Sequence, residues 1–306
     1  MTKSNNGAKA RANKVRAQRK HRPAIALVGA GNLATALGRA LVTNGYTISE
    51  VVARRRPQSL RRARSLANEL GASFSPMEDA RLNAEVLWLC ISDDEIAACA
   101  SALAQNRQFK NAIALHSSGA LSSSILAPLQ KAGAKVGSVH PMMTFVPEVR
   151  PSLEGVWFGV EGEPAAVAVA EQVVRDLHGE VLRLTAESKI LYHAWGAFSS
   201  PLLIATLAAA EEVARGAGIS ASAARSAMSP IVQRTIQNYL DHGAASAFSG
   251  PLARGDVATV AHHLEGLRAL PWAQEIYVAL ARSALRTLPV RNRDALQRLL
   301  GGSEKQ

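Results

Sequence analysis

The segment Val28-Gly29-Ala30-Gly31-Asn32-Leu33-Ala34 decides the fold that this sequence predicts. It spells G-x-G-x-x-A, follows a short apolar run and opens a stretch with helical periodicity. In that context the first glycine permits a tight turn, the second lets backbone approach a pyrophosphate, and the helix N-terminus faces the phosphates. The segment predicts dinucleotide binding; a tight strand–helix turn without a ligand is the alternative. The predicted cofactor contacts here are Gly29, Gly31, Asn32 and Leu33.

Strand-like and helical segments alternate up to about residue 185, which predicts an α/β fold with a doubly wound, mostly parallel Rossmann sheet. The predicted strands are 24–28, 49–53, 85–91, 112–115, 135–139, 156–160 and 180–184, with helices at 32–44, 57–70 and 164–177. Ser92 and Glu95 have capping-box spacing for one more helix. Beyond residue 185 only helices are predicted, at 186–216, 220–242, 256–270, 271–288 and 293–300.

Three regions follow from this pattern: a basic tail at 1–22, an NADP-binding Rossmann domain at 23–185, and a smaller all-helical substrate and dimerisation domain at 186–306. The net charge is +11, and the tail contains eight lysines and arginines but no acid. We interpret the tail as a disordered, solvated extension, with weak contacts to nucleic acid or a membrane surface as the alternative. The charge distribution does not indicate a general nucleic-acid-binding surface.

The sequence predicts no membrane-spanning segment, no disulfide scaffold and no metal site. No apolar run reaches the roughly 18 residues of a bilayer span, and residues 1–22 do not resemble a secretory signal. The two cysteines, Cys90 and Cys99, are too few for a disulfide scaffold and lack the spacing of a zinc site. These features predict a cytoplasmic protein.

The end of the second predicted strand indicates which dinucleotide is bound. Sites for NAD place an acidic residue there to hold the ribose hydroxyls, whereas this chain has Ala53-Arg54-Arg55-Arg56. Cations without an acid suit a 2′-phosphate, so we predict NADP(H), bound by Arg54 and Arg55, with Ser92 as a further contact. The alternative is a solvated helix start.

Several motifs resemble those of known enzymes. Gly29-Ala30-Gly31-Asn32-Leu33 is similar to the opening of pyrroline-5-carboxylate reductases. The motifs 116–120 (HSSGA), 138–145 (SVHPMMTF) and 250–256 (GPLARGD) resemble the bacterial family in which a Rossmann-like domain precedes domain of unknown function 2520. The resemblance covers about residues 24 to 290. It implies a second domain like that of 6-phosphogluconate dehydrogenase, and a homodimer.

Two histidines end neighbouring predicted strands. His116 and His140 should lie at the edge where doubly wound sheets bind ligands, and could orient or protonate a substrate. Ser118 and Gly119 follow in the loop and are candidate substrate contacts. The alternative is that each histidine only holds its own loop through a backbone hydrogen bond.

Lys189, His193, Gly196 and Ser200 form one stripe on the long predicted helix. In 6-phosphogluconate and 3-hydroxyacid dehydrogenases a Lys, with an Asn four residues later, binds substrate and moves the proton. The resemblance therefore implies catalytic roles for Lys189 and, with departures from the family pattern, for His193 and Ser200. A lysine that only extends its stem along the helix start is the alternative.

Arg254, in a glycine-flanked loop, could bind an anionic group of the substrate or form a structural salt bridge. Asp256 is predicted to cap the next helix. We predict an NADP(H)-dependent reductase or dehydrogenase for a small carbonyl or imine compound with an anionic group, in which Lys189 or a histidine supplies the proton. The alternative is a non-catalytic NADP(H)-binding sensor.

Overall fold

The computed structural model describes residues 22–105, 107–147, 149 and 151–301. The predicted tail lies outside these residues except for Arg22. The chain divides into two compact units, Met1–Ala197 and Phe198–Gln306, which are described separately.

The first unit is built on one eight-stranded sheet. Its strands are β1 (Ile25–Val28), β2 (Ile48–Ala53), β3 (Ser73–Pro76), β4 (Val86–Leu89), β5 (Ile113–His116), β6 (Lys135–Pro141), β7 (Trp157–Gly162) and β8 (Glu180–Arg183). They are arranged in the order β3-β2-β1-β4-β5-β6-β7-β8. Every neighbouring pair is parallel except β6–β7, which is antiparallel. The predicted doubly wound, mostly parallel sheet is confirmed.

Helices cover both faces of this sheet. They are α1 (Asn32–Thr43), α2 (Pro57–Leu70), α3 (Asp93–Ala104), α4 (Ala127–Lys131) and α5 (Pro164–Asp176). One apolar layer packs α1, α2 and α5 on the sheet, and the other packs α3 and α4 on the opposite face. The strand order reverses between β1 and β4, so the crevice for a ligand is expected at their carboxyl ends.

The second unit contains only helices among its described residues, as predicted. After α6 (Lys189–Ser199), which begins in the first unit, it comprises α7 (Pro201–Gly216), α8 (Ala221–Ala247), α9 (Pro251–Arg254), α10 (Val257–Gly266), α11 (Pro271–Thr287) and α12 (Arg293–Leu299). A small core forms around Val260, Ala281, Leu285 and Leu296. Asp256 caps α10 as predicted, because its carboxylate accepts the Thr259 N–H at 3.0 Å.

The prediction of a single helix at 186–216 is wrong. It is two helices that meet at Ser200, whose φ of −133° and ψ of −79° are not helical. Pro201 causes the break, because its ring disfavours the helical conformation at the residue before it. In the part of the chain described, this stretch, Lys189–Gly216, is the one place long and apolar enough to span a bilayer by length and composition.

Two further details differ from prediction. Ser92 precedes α3, but its side chain makes no capping hydrogen bond, because the Glu95 N–H donates to the Ser92 carbonyl oxygen at 3.0 Å. The Glu95 carboxylate pairs with Arg54 and so does not complete a capping box either. The boundary predicted near 185 would place the start of α6 in the second domain. In the structure, Lys189 and Tyr192 are buried within the first unit, which extends to Ala197.

Candidate functional site

The turn between β1 and α1 has the backbone that the glycine motif predicts. Gly29 has a φ of +107°, and a Cβ there would overlap the carbonyl oxygen of Cys90, so no other residue fits without a shift. A Cβ on Gly31 would meet nothing within 4 Å. Gly31 also precedes α1 without any side-chain cap, which leaves the first N–H groups of that helix free for an anion.

A cleft of about 650 Å³ lies at this turn, within the range of small-ligand and cofactor sites. It is lined at the carboxyl ends of β1, β2 and β4 by predicted contacts from the glycine turn together with Arg54 and Ser92. The Asn32 side chain also donates to the Phe145 carbonyl at 3.0 Å, which ties the start of α1 to the segment after β6. The cleft has the shape that an extended dinucleotide requires.

The arginines after β2 are arranged differently from the prediction. Arg54 lines the cleft but forms an ion pair with Glu95. Arg55 is not among the lining residues, because its guanidinium pairs with Asp79 at 3.0 Å and with Glu78 at 3.5 Å. Two further lining residues, both on α2, were not predicted from the sequence.

These two residues are Ser59 and Arg62. They are three positions apart and so share one face of α2, a spacing that could have identified them. No described residue forms an ion pair or side-chain hydrogen bond with Arg62, which distinguishes it from Arg54 and Arg55.

His116, at the end of β5, is held by backbone on both sides of its ring. Nδ1 accepts the Ser118 N–H at 3.1 Å, and Nε2 lies 3.2 Å from the Ser122 carbonyl, which only an Nε2–H can satisfy. Burial and the nearby Lys189 lower the pKa of His116 to about 3, so the ring is neutral. The predicted catalytic role does not fit this fully buried ring, whose two nitrogens are already occupied.

Ser118 organises the loop after β5. Its hydroxyl donates to Asp93 at 2.7 Å and accepts the backbone N–H of Ala120 at 3.2 Å and of Leu121 at 2.9 Å. The side chain predicted to bind substrate is therefore buried and occupied by the protein itself.

Lys189 is fully buried at the start of α6 and does not extend to solvent. Its ammonium donates to the Ser118 carbonyl at 2.7 Å and to the Ser138 hydroxyl, and so joins α6 to the loop after β5 and to β6. Burial lowers the pKa of Lys189 to about 8, while Glu161 and Asp93 oppose the shift.

His140, Tyr192 and His193 form a cluster at the end of β6. His140 Nδ1 is 2.9 Å from the Tyr192 hydroxyl oxygen, and the ring centroids of His140 and His193 are 6.2 Å apart. A Cβ on Gly119 would lie 2.9 Å from His140 Nε2 and 2.7 Å from His193 Cδ2. His140 is half-buried and His193 is exposed. Burial, followed by Lys189 and His193, lowers the pKa of His140 to about 4.

Of the two remaining residues of the predicted stripe, one stays on α6 and the other leaves it. Gly196 lies on α6 close to Met142, whose sulfur would be 3.1 Å from a Cβ at that position. Ser200 is the non-helical residue before α7 and therefore leaves the line of Lys189 and His193. Tyr192 was missed, although its offset of three from Lys189 places it on the same helix face.

Arg254 ends α9 in the second unit, where its side chain is exposed. Among the described residues the Arg254 guanidinium forms no salt bridge, so the structural salt bridge considered as the alternative for Arg254 is not observed. The described residues also contain no group of three or more His, Cys, Asp or Glu side chains that could hold a metal ion.

Comparison with known proteins identifies two domains. The family model of a Rossmann-like domain matches residues 8–141, and that of the domain of unknown function DUF2520 matches residues 156–284. Their order agrees with the resemblance drawn from the motifs. A search of curated proteins found no match.

Solved structures share this fold at low sequence identity. A proposed NADP oxidoreductase from Bacteroides fragilis is 23% identical, with a TM-score of 0.71, covering 86% of this chain and 97% of that one. A reductive aminase from Aspergillus terreus, in complex with NADPH and ethyl-5-oxohexanoate, is 18% identical, with a TM-score of 0.63 and coverage of 91% and 99%. An imine reductase from Pseudomonas sp. is 19% identical, with a TM-score of 0.62 and coverage of 92% and 100%.

Proposed function

We propose that this chain, which belongs to the family that joins a Rossmann-like domain to domain of unknown function 2520, is an NADP(H)-dependent oxidoreductase acting on a small carbonyl or imine compound. One observation carries the proposal. The cleft at the glycine turn and the His140–His193 pair both lie at the carboxyl-end edge of a single sheet. This is the edge where doubly wound folds bind their ligands.

The residues at the turn fit a dinucleotide. Gly29 and Gly31 leave the backbone uncovered, and the free N–H groups at the start of α1 suit a pyrophosphate. The complex of the similar reductive aminase with NADPH supports the same cofactor here. When bound, the nicotinamide supplies or accepts a hydride. The protein has to position the substrate and exchange the proton.

We assign binding of the 2′-phosphate of NADP(H) to Arg62 and Ser59. Arg54 assists once its ion pair with Glu95 opens. Arg62 is the lining cation with no ion-pair partner among the described residues, and no carboxylate follows β2 at positions 53–56 to favour a free ribose hydroxyl. Arg55 is left out of this assignment, since its acidic partners hold it outside the cleft.

Replacing Arg62 with Gln should weaken NADPH binding by roughly tenfold to a hundredfold, because one charge-assisted hydrogen bond contributes about 1.5–3 kcal/mol. NADH binding should not change. Fluorescence titration with both nucleotides measures the difference, and Arg61→Gln, an exposed neighbour outside the cleft, is the matched control. Parent protein that binds NADH as tightly as NADPH would contradict the 2′-phosphate assignment as a whole.

We assign the exchange of a proton with the substrate to His193 and not to Lys189. His193 has the exposed ring in the cluster, whereas Lys189 is fully buried and bonded to two oxygens. Lys189 is then a positioning residue for the loop that carries Gly119, and its positive charge helps to keep His140 neutral. This division of roles replaces the assignment that the resemblance alone implied.

A screen of NADPH oxidation against small keto acids, ketones with amines, and cyclic imines tests the activity. We expect turnover with at least one compound, and turnover that improves with an acidic group would support the proposed preference for a substrate with an anionic group. Tight NADPH binding without turnover of any compound would favour the second candidate, a non-catalytic NADP(H) sensor. The two unpaired cysteines suit the proposed cytoplasmic location.

A homodimer through the helical unit is part of the proposal. Several apolar side chains of α8 are exposed, and Ala224 is the one residue of this helix that is buried. This element of 27 residues is kinked at Gly243, where φ is +74°, and with so little burial it needs a partner to cover its exposed apolar side chains. The apolar and exposed residues are Ile231, Ile236, Tyr239 and Leu240.

Leu240→Glu should convert the dimer to a monomer, because it places a charge within a covered apolar surface. Arg234→Glu changes an exposed charge about 120° around the same helix from Leu240 and should leave the dimer intact. Analytical ultracentrifugation at several concentrations distinguishes the two states. A parent chain that sediments as a monomer at micromolar concentration would rule out the dimer.

A further inference from the structure

Tyr192 makes two contacts that together restrict where the protons lie. Its hydroxyl oxygen is 2.9 Å from His140 Nδ1 and 3.1 Å from the carbonyl oxygen of the same residue. The ring is almost fully buried, and it packs where a side chain at Gly159 would lie, since a Cβ there would be 2.7 Å from Tyr192 Cζ. The hydroxyl is therefore held in place beside both atoms of His140.

A phenol has one hydrogen to donate. If it donates to Nδ1, the hydroxyl oxygen and the His140 carbonyl oxygen face each other at 3.1 Å with no hydrogen between them. If it donates to the carbonyl, Nδ1 can carry a proton and donate it to the hydroxyl oxygen, and both contacts become hydrogen bonds. Only the second arrangement satisfies both distances.

We infer that Tyr192 is a positioning residue that holds His140 in the tautomer with its proton on Nδ1, which leaves Nε2 as a bare hydrogen-bond acceptor beside Gly119. His140 then selects a partner that carries an N–H or O–H group, such as an amine, an iminium or an alcohol. Gly119 matters because any side chain there would meet Nε2. This consequence for the substrate rests on the proposed function; the tautomer itself does not.

His116 provides a reference within the same site. Its Nδ1 accepts the Ser118 N–H, so its proton lies on Nε2, the opposite tautomer. The two imidazoles end neighbouring strands, and their opposite tautomers follow from their different hydrogen-bond partners.

Long-range ¹H–¹⁵N correlation spectra of the ¹⁵N-labelled full chain at pH 7.5 test the inference, because protonated and bare imidazole nitrogens resonate in separate ranges. We expect the proton of His140 on Nδ1 and that of His116 on Nε2, with the His140 signals identified by their absence in His140→Asn. In Tyr192→Phe, Nδ1 loses its acceptor, and we expect the His140 proton to move to Nε2.

Tyr277→Phe is the matched control. It removes a hydroxyl that lies 3.1 Å from His263 Nδ1 in the helical unit, and it should not move the His140 signals. Unchanged His116 signals in Tyr192→Phe would show that the sheet edge is still folded. A parent His140 with its proton on Nε2, or a Tyr192→Phe variant that keeps it on Nδ1, would overturn the inference. Neither outcome would affect NADPH binding, which is measured separately.

Discussion

Lys189→Met should lower the free energy of unfolding by about 2–6 kcal/mol, because two buried oxygens each lose a partner at roughly 1–3 kcal/mol. These oxygens are the Ser118 carbonyl and the Ser138 hydroxyl. Methionine keeps the length of the stem, so the loss reports the ammonium group. Lys131→Met makes the same change at an exposed position of α4 and should have little effect. Urea denaturation of the parent and both variants measures the difference.

The pH dependence of the same variant separates burial of the charge from packing. The folded pKa of Lys189 is about 8, below its ordinary value of 10.5. The folded state then binds fewer protons than the unfolded state between these values, so stability rises with pH across this window. Between pH 8 and 10.5 the free energy of unfolding of the parent should rise by up to about 3 kcal/mol relative to that of Lys189→Met. A pH-independent difference between the two proteins would contradict a charged, buried lysine.

Loss of Lys189 should also reduce turnover in any reaction that the substrate screen identifies. The loop carrying Gly119 would lose its connection to α6, and His140 would lose a nearby positive charge that helps to keep it neutral. NADPH affinity should be retained where the variant remains folded, because the glycine turn is formed by β1 and α1. An exposed general acid, in contrast, could be removed without a cost in stability.

Acidification from pH 6.5 to 5 should lower the free energy of unfolding by about 2–3 kcal/mol per pH unit, since two buried histidines must stay neutral in the folded state. Their pKa values are about 3 for His116 and about 4 for His140, both below the ordinary 6.5. The unfolded state therefore binds more protons in this window, and stability falls as the pH falls. The effect is large beside the 5–15 kcal/mol of a typical domain.

Denaturation curves at half-unit intervals measure this slope. Carboxyl groups contribute mainly below about pH 4.5, so the window from 6.5 to 5 isolates the histidines. His116→Asn and His140→Asn should each remove about half of the slope, whatever they do to the absolute stability. Stability that stays constant between pH 6.5 and 5 would contradict the neutral, buried rings.

Local patterns were sufficient to predict some features. Asp256 was identified as a cap because a cap acts within three residues, on Thr259. The break at Ser200 was missed although Pro201 is a local signal, since the apolar periodicity continues through it. Arg54 and Arg55 were correctly located at the end of β2, but their carboxylate partners are on other elements and could not be identified from their neighbours in the chain.

By itself, the sequence determined the doubly wound sheet, the glycine turn and the position of Lys189 and His193 on one helix, because these depend on the alternation of short segments, on helical spacing and on the backbone freedom of Gly29. Only the tertiary structure decided which of those groups are available to a ligand. Lys189 is bonded to a carbonyl 71 positions away in the chain, whereas His193, four residues later, is exposed. Helical spacing specifies a shared face, but desolvation and hydrogen bonding depend on what packs against that face.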